Sequence, residues 1–273
     1  MFPRQSRTER VRRVDWLSAT YLLGALLLCY YLLPFVSLFA SQPLGVVAGR
    51  LTSSTVLSAA TTSLTSSAAS AAIATGLGLP LAYWLARTEG LRKTLVTAIV
   101  VLPLVLPPIV SGMLLLTVVG PETLLGRLAA ANGLALTRST AGVVLAQTFV
   151  ASPFVVITAK AAFESVDPTL EYASQTLGKS RLTTFRQVTL PIAWPGILAG
   201  ITLAFARAIG EFGATIMLAY YPRTMPVQIW VSFTTLGLDN AFPVAIILVA
   251  IAVLTLVVLN TLGSNPFESN PLD

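Results

Sequence analysis

The chain has 273 residues with a mean hydropathy of +0.81; 55% of them are hydrophobic and 10% are charged. Soluble domains carry about 25% charged residues, so a chain this apolar lacks the polar side chains to cover a water-facing surface, and much of it must face lipid. The net charge of +6 does not indicate a nucleic-acid-binding protein, because the basic residues lie in short segments between apolar runs instead of forming one patch.

Missing residue types narrow the chemistry further. The sequence contains no His, the commonest general base and metal ligand, and its single Cys excludes an intrachain disulfide and a multi-cysteine metal site. Cys29 lies within an apolar run, so we expect it to be a small buried hydrophobic residue. These absences argue against catalysis by this chain.

Long apolar runs predict six transmembrane helices, since about 20 mostly apolar residues are needed to cross the hydrocarbon core. The predicted helices cover residues 16–40, 56–86, 94–119, 140–163, 193–220 and 241–262. Five arginines precede the first one, as in a signal peptide, but its apolar stretch over 17–39 is too long for a signal core. We therefore expect it to be a retained helix.

The second and third predicted helices have unusual compositions. Much of the second consists of Ser, Thr and Ala, and small side chains of this kind let helices approach closely while their hydroxyls bond across the contact. We favour close packing for this helix over the alternative, a hydrated path. Pro103, Pro107 and Pro108 predict a break or kink at the start of the third helix, which either shapes a vestibule or is a plain structural bend.

The distribution of Lys and Arg between the loops predicts the orientation of the six helices. With the N-terminus in the cytoplasm, the cytoplasmic segments hold twelve basic residues and the outer segments four, in agreement with the positive-inside rule. Both termini are therefore expected in the cytoplasm, with a basic segment over residues 1–15, a membrane domain over 16–262 and a short tail over 263–273. The seventeenth basic residue, Arg207, lies within a predicted helix.

The loop over residues 164–192, cytoplasmic by this count, contains a predicted short helix. Asp167 is an acidic N-cap, and Pro168 suits the first helical position because its missing N–H is no loss there. Gly178 is a natural helix end. Leu170, Ala173 and Leu177 fall on one face at helical spacing. Without further information, this helix could also lie flat on the lipid surface, held by the basic residues that follow it.

The same loop resembles the cytoplasmic-loop signature of ABC importer permeases, which is written EAA, three residues, Gly, nine residues, Ile, one residue, Leu-Pro. Every gap has the expected length, and the matching positions are Tyr172, Ala173, Ser174, Gly178, Val188, Leu190 and Pro191. Tyr172 replaces the Glu of the signature, and Ser174 replaces an Ala. Glu171, one residue earlier, is the candidate substitute for the acidic contact.

The resemblance implies that the loop forms a coupling helix, which sits in a groove of a separate ATPase subunit and moves with it. The residues implied in coupling are Pro168, Leu170, Glu171, Tyr172, Ala173, Ser174, Leu177 and Gly178, with Leu190 and Pro191 at the end of the loop.

Segments outside the loop resemble the oxyanion branch of these permeases. They cover residues 76–87, 102–116 and 190–218, and within the last of them "ARAIGEFGAT" resembles molybdate and tungstate permeases, with sulfate permeases closely related. The resemblance implies an all-α membrane protein with the type I ABC importer permease fold, located in the cell membrane. It also implies as partners a second copy of this chain, two ATPase subunits that bind ATP and Mg, and an extracytoplasmic oxyanion-binding protein. No cofactor is expected in this chain.

Arg207 and Glu211 are candidate pathway residues. They lie four residues apart in the fifth predicted helix, so we expect them on one helix face. An ionised residue at the centre of a bilayer costs roughly 2.5–3.5 kcal/mol, which places both toward the interior of the bundle. They either line or gate the translocation path or form a neutralising pair that fixes packing. Gly210, Gly213 and Ala214 are expected to keep this helix slim where two subunits approach.

The sequence contains no phosphate-binding loop of the form GxxxxGK[ST], so ATP must be bound by a partner. Three alternatives to an ABC permease remain. A carrier driven by an ion gradient usually has more intramembrane carboxylates than the single Glu211. A membrane enzyme lacks the residues for the usual catalytic sets, and a passive structural subunit leaves the spacing of the loop unexplained.

Overall fold

The computed structural model describes the backbone of residues 7–262 and the side chains of residues 18–258. Within those bounds the chain is helical and has no β-strand. The α-helices are α1 (Arg7–Ala40), α2 (Leu44–Leu51), α3 (Ser54–Ala86), α4 (Leu91–Val105), α5 (Pro108–Val119), α6 (Leu124–Ala131), α7 (Thr140–Glu164), α8 (Pro168–Thr176), α9 (Arg181–Thr184), α10 (Leu190–Ile209), α11 (Gly213–Leu218), α12 (Met225–Leu236) and α13 (Leu238–Leu262). A π-helical turn, Phe185–Thr189, joins α9 to α10.

Five stretches of the described helices are long and apolar enough to cross a membrane. They are Ser18–Ala40, Ser54–Ala86, Thr140–Glu164, Arg181–Ile209 and Leu238–Val258. A sixth crossing is obtained if α4 and α5 are counted together as one broken span. The predicted all-α membrane architecture is confirmed, and the bounds of four predicted helices agree with α1, α3, α7 and α13 to within a few residues in their apolar parts.

The break predicted in the third helix is confirmed, because α4 and α5 meet at an angle of 116°, but it does not lie at the start of that helix. The break lies in its middle, at Leu106 and Pro107, while Pro103 remains inside α4. A residue that precedes proline avoids the α-helical region. Leu106 and Pro107 each precede a proline, and both are extended, with ψ values of 139° and 134°. Pro108 then opens α5, where its missing N–H costs nothing.

The fifth predicted helix, over 193–220, also requires correction. The helix α10 ends at Ile209, and Gly210 is its C-cap. Residues 210–212 leave the helical conformation, and the six-residue helix α11 follows. Composition did not reveal this break because the residues on both sides of it are equally apolar.

The core of the molecule is formed by α3, α7 and α10, which pack against one another. Near the end of the bundle that carries α8, Leu85, Phe163 and Ile197 are completely buried in one apolar cluster. Tyr83 meets the Phe163 ring edge-on, with 5.3 Å between ring centroids. This cluster anchors the membrane ends from which the loop around α8 departs.

The Ser-rich first half of α3 packs closely against its neighbours, as predicted. Its buried serines are Ser63, Ser66, Ser67 and Ser70. Ser70 Oγ donates to Gln147 Oε1 of α7 at 3.2 Å, and Gln147 Nε2 donates to the Ala208 carbonyl of α10 at 3.0 Å. Small side chains thus bring the three central helices together, and hydroxyl and amide groups bond across the contact.

The helix α1 stands apart from this core. None of its described side chains, from Ser18 onward, is buried, and its main helix contact is with α13. The expectation of a buried Cys29 was therefore wrong: the residue is exposed on α1. The helix begins at Arg7, within the predicted basic segment over 1–15. The predicted tail over 263–273 lies outside the described residues.

Candidate functional site

The start of α8 is determined by Asp167, as the sequence predicted. Its carboxylate accepts a hydrogen bond from the Thr169 backbone N–H at 2.8 Å, and Pro168 occupies the first turn. This backbone hydrogen bond lowers the pKa of Asp167 below its usual value. The N-terminal turn of α8 is thereby capped by a charged group, which also interacts favourably with the helix dipole.

The end of α8 is determined by Gly178. Its φ of +82° is a left-handed conformation that glycine adopts without strain. The Gly178 N–H donates to the Gln175 carbonyl at 3.0 Å, and the Lys179 N–H donates to the Ser174 carbonyl at 3.2 Å. This pair of hydrogen bonds is the Schellman motif.

The outer surface of α8 is apolar and exposed. Leu170 is 47% exposed, Tyr172 67% and Leu177 81%. Ala173 is exposed as well, so the apolar face predicted from Leu170, Ala173 and Leu177 is turned away from the bundle. Large side chains of this kind on one short helix mark a surface that another molecule can cover.

The inner surface of α8 is polar and bonded to the rest of the chain. The Glu171 carboxylate lies 2.5 Å from Arg87 Nη2, and its Oε1 accepts a hydrogen bond from Thr189 Oγ1 at 2.6 Å. Ser174 Oγ lies 3.1 Å from Thr184 Oγ1. Glu171, the candidate substitute for the acidic contact of the signature, is therefore turned into the chain.

Arg87, the C-cap residue of α3, is a member of the site that sequence reasoning missed. Its Nη1 donates to the Phe163 carbonyl near the end of α7 at 3.2 Å, in addition to the contact with Glu171. Partial burial is the largest single influence and acts to lower the pKa of Arg87, but the hydrogen bonds and charges of Glu171 and Tyr83 together outweigh it, so the pKa lies above its ordinary value. Arg87 and Glu171 are 84 positions apart, so no local pattern indicated their contact.

The end of the loop is anchored in the core. Leu190 and Pro191 are half-buried and open α10, and Leu190 packs on the cluster that contains Phe163. In the π-helical turn before them, the Phe185 ring lies 5.1 Å from that of Tyr83. A π-helical turn is rare and is often found at functional sites.

Arg207 and Glu211 form an ion pair, with 2.5 Å between Arg207 Nη2 and Glu211 Oε2. The expectation that they share a helix face was wrong, because α10 ends between them and only Arg207 is helical. Glu211 is 1% exposed, and its Oε1 accepts a hydrogen bond from the Ala214 N–H at 2.7 Å. The carboxylate thus neutralises Arg207 and caps the first turn of α11.

A cavity of about 300 Å³ lies beside this pair. It is lined by residues of both chain breaks: Pro107, Pro108, Ile109, Arg207, Gly210, Glu211, Phe212 and Gly213. The two broken segments therefore face each other, and the only charged side chains lining this cavity are those of Arg207 and Glu211. Gly210 is exposed at its edge.

Gly213 and Ala214 were expected on a surface where two subunits approach, and this expectation was wrong. Both residues are buried and pack against α5 of the same chain. A Cβ on Gly213 would lie 2.8 Å from the Pro108 Cβ. A Cβ on Gly112 of α5 would lie 2.8 Å from the Ala214 carbonyl oxygen. The two helices are in direct backbone contact at these glycines.

Among the described side chains, no group of three Asp, Glu or Cys residues is placed to hold a metal ion. The candidate sites are therefore two: the exposed helix α8 with its polar inner side, and the Arg207–Glu211 pair at its cavity.

Comparisons with known proteins agree with this architecture. Residues 78–263 match the family model described as "binding-protein-dependent transport system inner membrane component". A probable molybdenum ABC transporter permease protein of Haloferax volcanii is 54% identical over 97% of both chains. A molybdate/tungstate transport system permease protein of Pyrococcus abyssi is 36% identical over 85% of this chain and 89% of its own.

Solved structures show the same fold at low sequence identity. A bacterial alginate ABC transporter, in complex with a periplasmic protein bound to an alginate pentasaccharide, has a chain with a TM-score of 0.74 at 19% identity, covering 95% of this chain and 98% of its own. A chain of an inward-facing methionine ABC transporter has a TM-score of 0.58, also at 19% identity. The match covers 74% of this chain and 91% of that one. The chain belongs to the family of binding-protein-dependent transport system inner membrane components and is a membrane-spanning permease subunit of an ABC importer.

Proposed function

We propose that the chain carries molybdate or tungstate across the cell membrane by alternating access. The relatives from Haloferax volcanii and Pyrococcus abyssi, which are named for molybdenum and for molybdate/tungstate, match nearly the whole chain and support these oxyanions over sulfate. Membership of the family argues against the gradient-driven carrier and the membrane enzyme.

The proposed assembly contains two copies of this chain around a central path, two ATPase subunits and an extracytoplasmic oxyanion-binding protein. The ATPase subunits bind ATP and Mg, since this sequence has no phosphate-binding loop. Closure of the ATPase subunits moves α8, and the two bundles swing between inward-open and outward-open states as rigid bodies.

The observation that carries this proposal is the position of α8. Both of its ends are capped, its polar side is bonded to the bundle, and Leu170, Tyr172 and Leu177 are exposed on the other side. A helix lying on the lipid surface would also expose apolar residues. The resemblance of this segment to the family signature favours an ATPase groove as the partner, and we propose that these three side chains fill it.

We also propose that Arg207 and Glu211 line the translocation path. Their cavity lies where two helix breaks meet, and irregular backbone within a membrane is tolerated where it lines a cavity. The charge of Arg207 is already matched by Glu211, so the site does not hold a dianion tightly. Weak binding permits release, and selectivity is therefore expected to reside in the extracytoplasmic binding protein.

Docking of α8 is tested by introducing a charge on its exposed side. Leu177→Asp should leave the permease in the membrane but remove the ATPase subunit from the complex purified in detergent, because a buried carboxylate without a partner is costly in an apolar groove. The matched control is Leu134→Asp, an exposed leucine just after α6, which should keep the ATPase subunit. Retention of the ATPase subunit by Leu177→Asp would contradict the docking role.

The substrate is tested in vesicles that contain the permease, its ATPase and its binding protein. Uptake of radiolabelled molybdate should require ATP and should be inhibited by unlabelled tungstate but not by sulfate. Calorimetric titration of the binding protein should show tight binding of molybdate and tungstate and much weaker binding of sulfate. Inhibition by sulfate as strong as that by tungstate would favour the sulfate alternative.

A further inference from the structure

A single carboxylate connects α8 to three other parts of the chain. Glu171 contacts Arg87 at the end of α3 and Thr189 at the end of the π-helical turn that leads into α10. Arg87 in turn donates to the Phe163 carbonyl near the end of α7. The central membrane helices α3, α7 and α10 thus meet α8 through one network of hydrogen bonds, which we call the Arg87–Glu171–Thr189 brace.

The surroundings of the brace make it stronger than a surface ion pair. The Glu171 side chain is 13% exposed and that of Arg87 is 27% exposed, while Thr189 is buried. Ion pairs that are partly shielded from water are weakened less by solvent and salt than exposed ones. The Ser174–Thr184 contact supports the same side of α8.

We infer that the Arg87–Glu171–Thr189 brace transmits the displacement of α8 to the membrane helices. A short helix held only by two flexible loops would move without moving the bundle. Rigid-body motion requires a contact that holds the two parts together. Glu171, Arg87 and Thr189 are positioning residues in this inference, which rests on the proposed function, since α8 must first receive the force of an ATPase subunit.

The test compares uptake of molybdate per ATP hydrolysed in vesicles that contain the full complex. Glu171→Ala should keep the ATPase subunit bound and hydrolysing, because the exposed side of α8 is unchanged. Its uptake per ATP should fall roughly five- to tenfold, within the usual range of coupling between sites. Thr189→Val, which keeps the shape and removes the hydroxyl, should lower the ratio in the same direction. Glu171→Gln, which retains an acceptor for both partners, should restore part of it.

The matched control is Glu164→Ala. Glu164 also lies at this end of the bundle and pairs with two cations. The pair with Lys93 joins α7 to α4, and the pair with Lys160 lies within α7, so neither pair contacts α8. Its loss should leave uptake per ATP unchanged. The double variant Glu171→Ala/Thr189→Val should be no worse than Glu171→Ala alone, because both changes remove the same contact.

Three results would overturn the inference: an unchanged ratio in Glu171→Ala, an equal loss in Glu164→Ala, or loss of the ATPase subunit from Glu171→Ala, which would make Glu171 part of the docking surface. Failure of the proposed function is distinguishable from all three. In that case the unmodified complex itself would show no ATP-dependent uptake of molybdate.

Discussion

Gly178 ends α8 with a backbone conformation that other residues rarely adopt, and a Cβ there would have no neighbour within 4 Å. Gly178→Val should therefore act through backbone strain alone, about 1–2 kcal/mol for a left-handed residue with a side chain. We expect the protein to remain in the membrane while uptake falls, because the end of α8 rearranges. Vesicle uptake and thermal unfolding measure the two effects.

The control for this variant is Gly133→Val. Gly133 follows α6 with a φ of +75°, makes the same type of hydrogen bond and likewise has no neighbour for a Cβ. It should lose similar stability without losing uptake. Normal uptake by Gly178→Val would mean that the end of α8 is not part of coupling.

Glu211 is the buried partner of Arg207 and the cap of α11. Glu211→Ala leaves Arg207 unpaired and removes the acceptor for the Ala214 N–H. We expect the free energy of unfolding to fall by about 2–3 kcal/mol. This is below the range for breaking a fully buried ion pair, because the Arg207 side chain is 27% exposed. Thermal unfolding in detergent measures it. Glu211→Gln retains an acceptor and should lose less; equal stability of all three proteins would indicate an exposed, solvated pair.

At the scale of single residues, the sequence predicted correctly those features that depend on local chemistry. Asp167 and Gly178 were predicted as the ends of a helix because a cap and a left-handed glycine act on their immediate neighbours. Arg87 and Thr189 were missed because their contacts with Glu171 depend on how distant segments come together. The inward direction of Glu171 likewise follows from those contacts and not from its neighbours in the chain.

At the scale of elements, the two helix breaks position the short helices α5 and α11 within the membrane domain. The helices α5 and α11, which follow the breaks, contact each other at Gly112 and Gly213. Long apolar runs predicted where helices cross the membrane, since length and hydropathy suffice for that. They did not predict α2, α6 and α12 or the end of α10, because these short elements depend on tertiary contacts and carry no long apolar run.

The contact between α5 and α11 predicts that Gly112→Ala is destabilising. The added Cβ would lie 2.8 Å from both the Ala214 carbonyl oxygen and the Met217 Cβ, so the helices must separate. Overpacking of this kind costs about 1–3 kcal/mol, measured as a lower thermal midpoint in detergent. Gly76→Ala is the control, because Gly76 lies in α3 with no atom within 4 Å. A higher midpoint for Gly112→Ala than for Gly76→Ala would contradict this packing.

At the scale of the whole molecule, orientation is the prediction with the widest consequences. The basic residues predict that α8 lies on the cytoplasmic side of the membrane and α6 on the extracytoplasmic side. Gln175 of α8 and Asn132, the C-cap of α6, are both exposed and suit cysteine labelling in a Cys29→Ala background. In right-side-out vesicles a membrane-impermeant maleimide should label Asn132→Cys but not Gln175→Cys until the membrane is permeabilised. The reverse pattern would place α8 on the wrong side for an ATPase.

If α8 docks on the ATPase subunit as proposed, the aromatic ring at position 172 restricts which ATPase subunits can serve this permease. Where the family signature has a carboxylate, this chain presents a phenol, and the neighbouring acid is occupied by Arg87. A groove that offers a basic side chain at that point would find no anion to match it. With the proposed docking, we expect the cognate ATPase to provide an aromatic or aliphatic pocket there, so ATPase subunits taken from related importers should function poorly with this permease unless that pocket is exchanged with them.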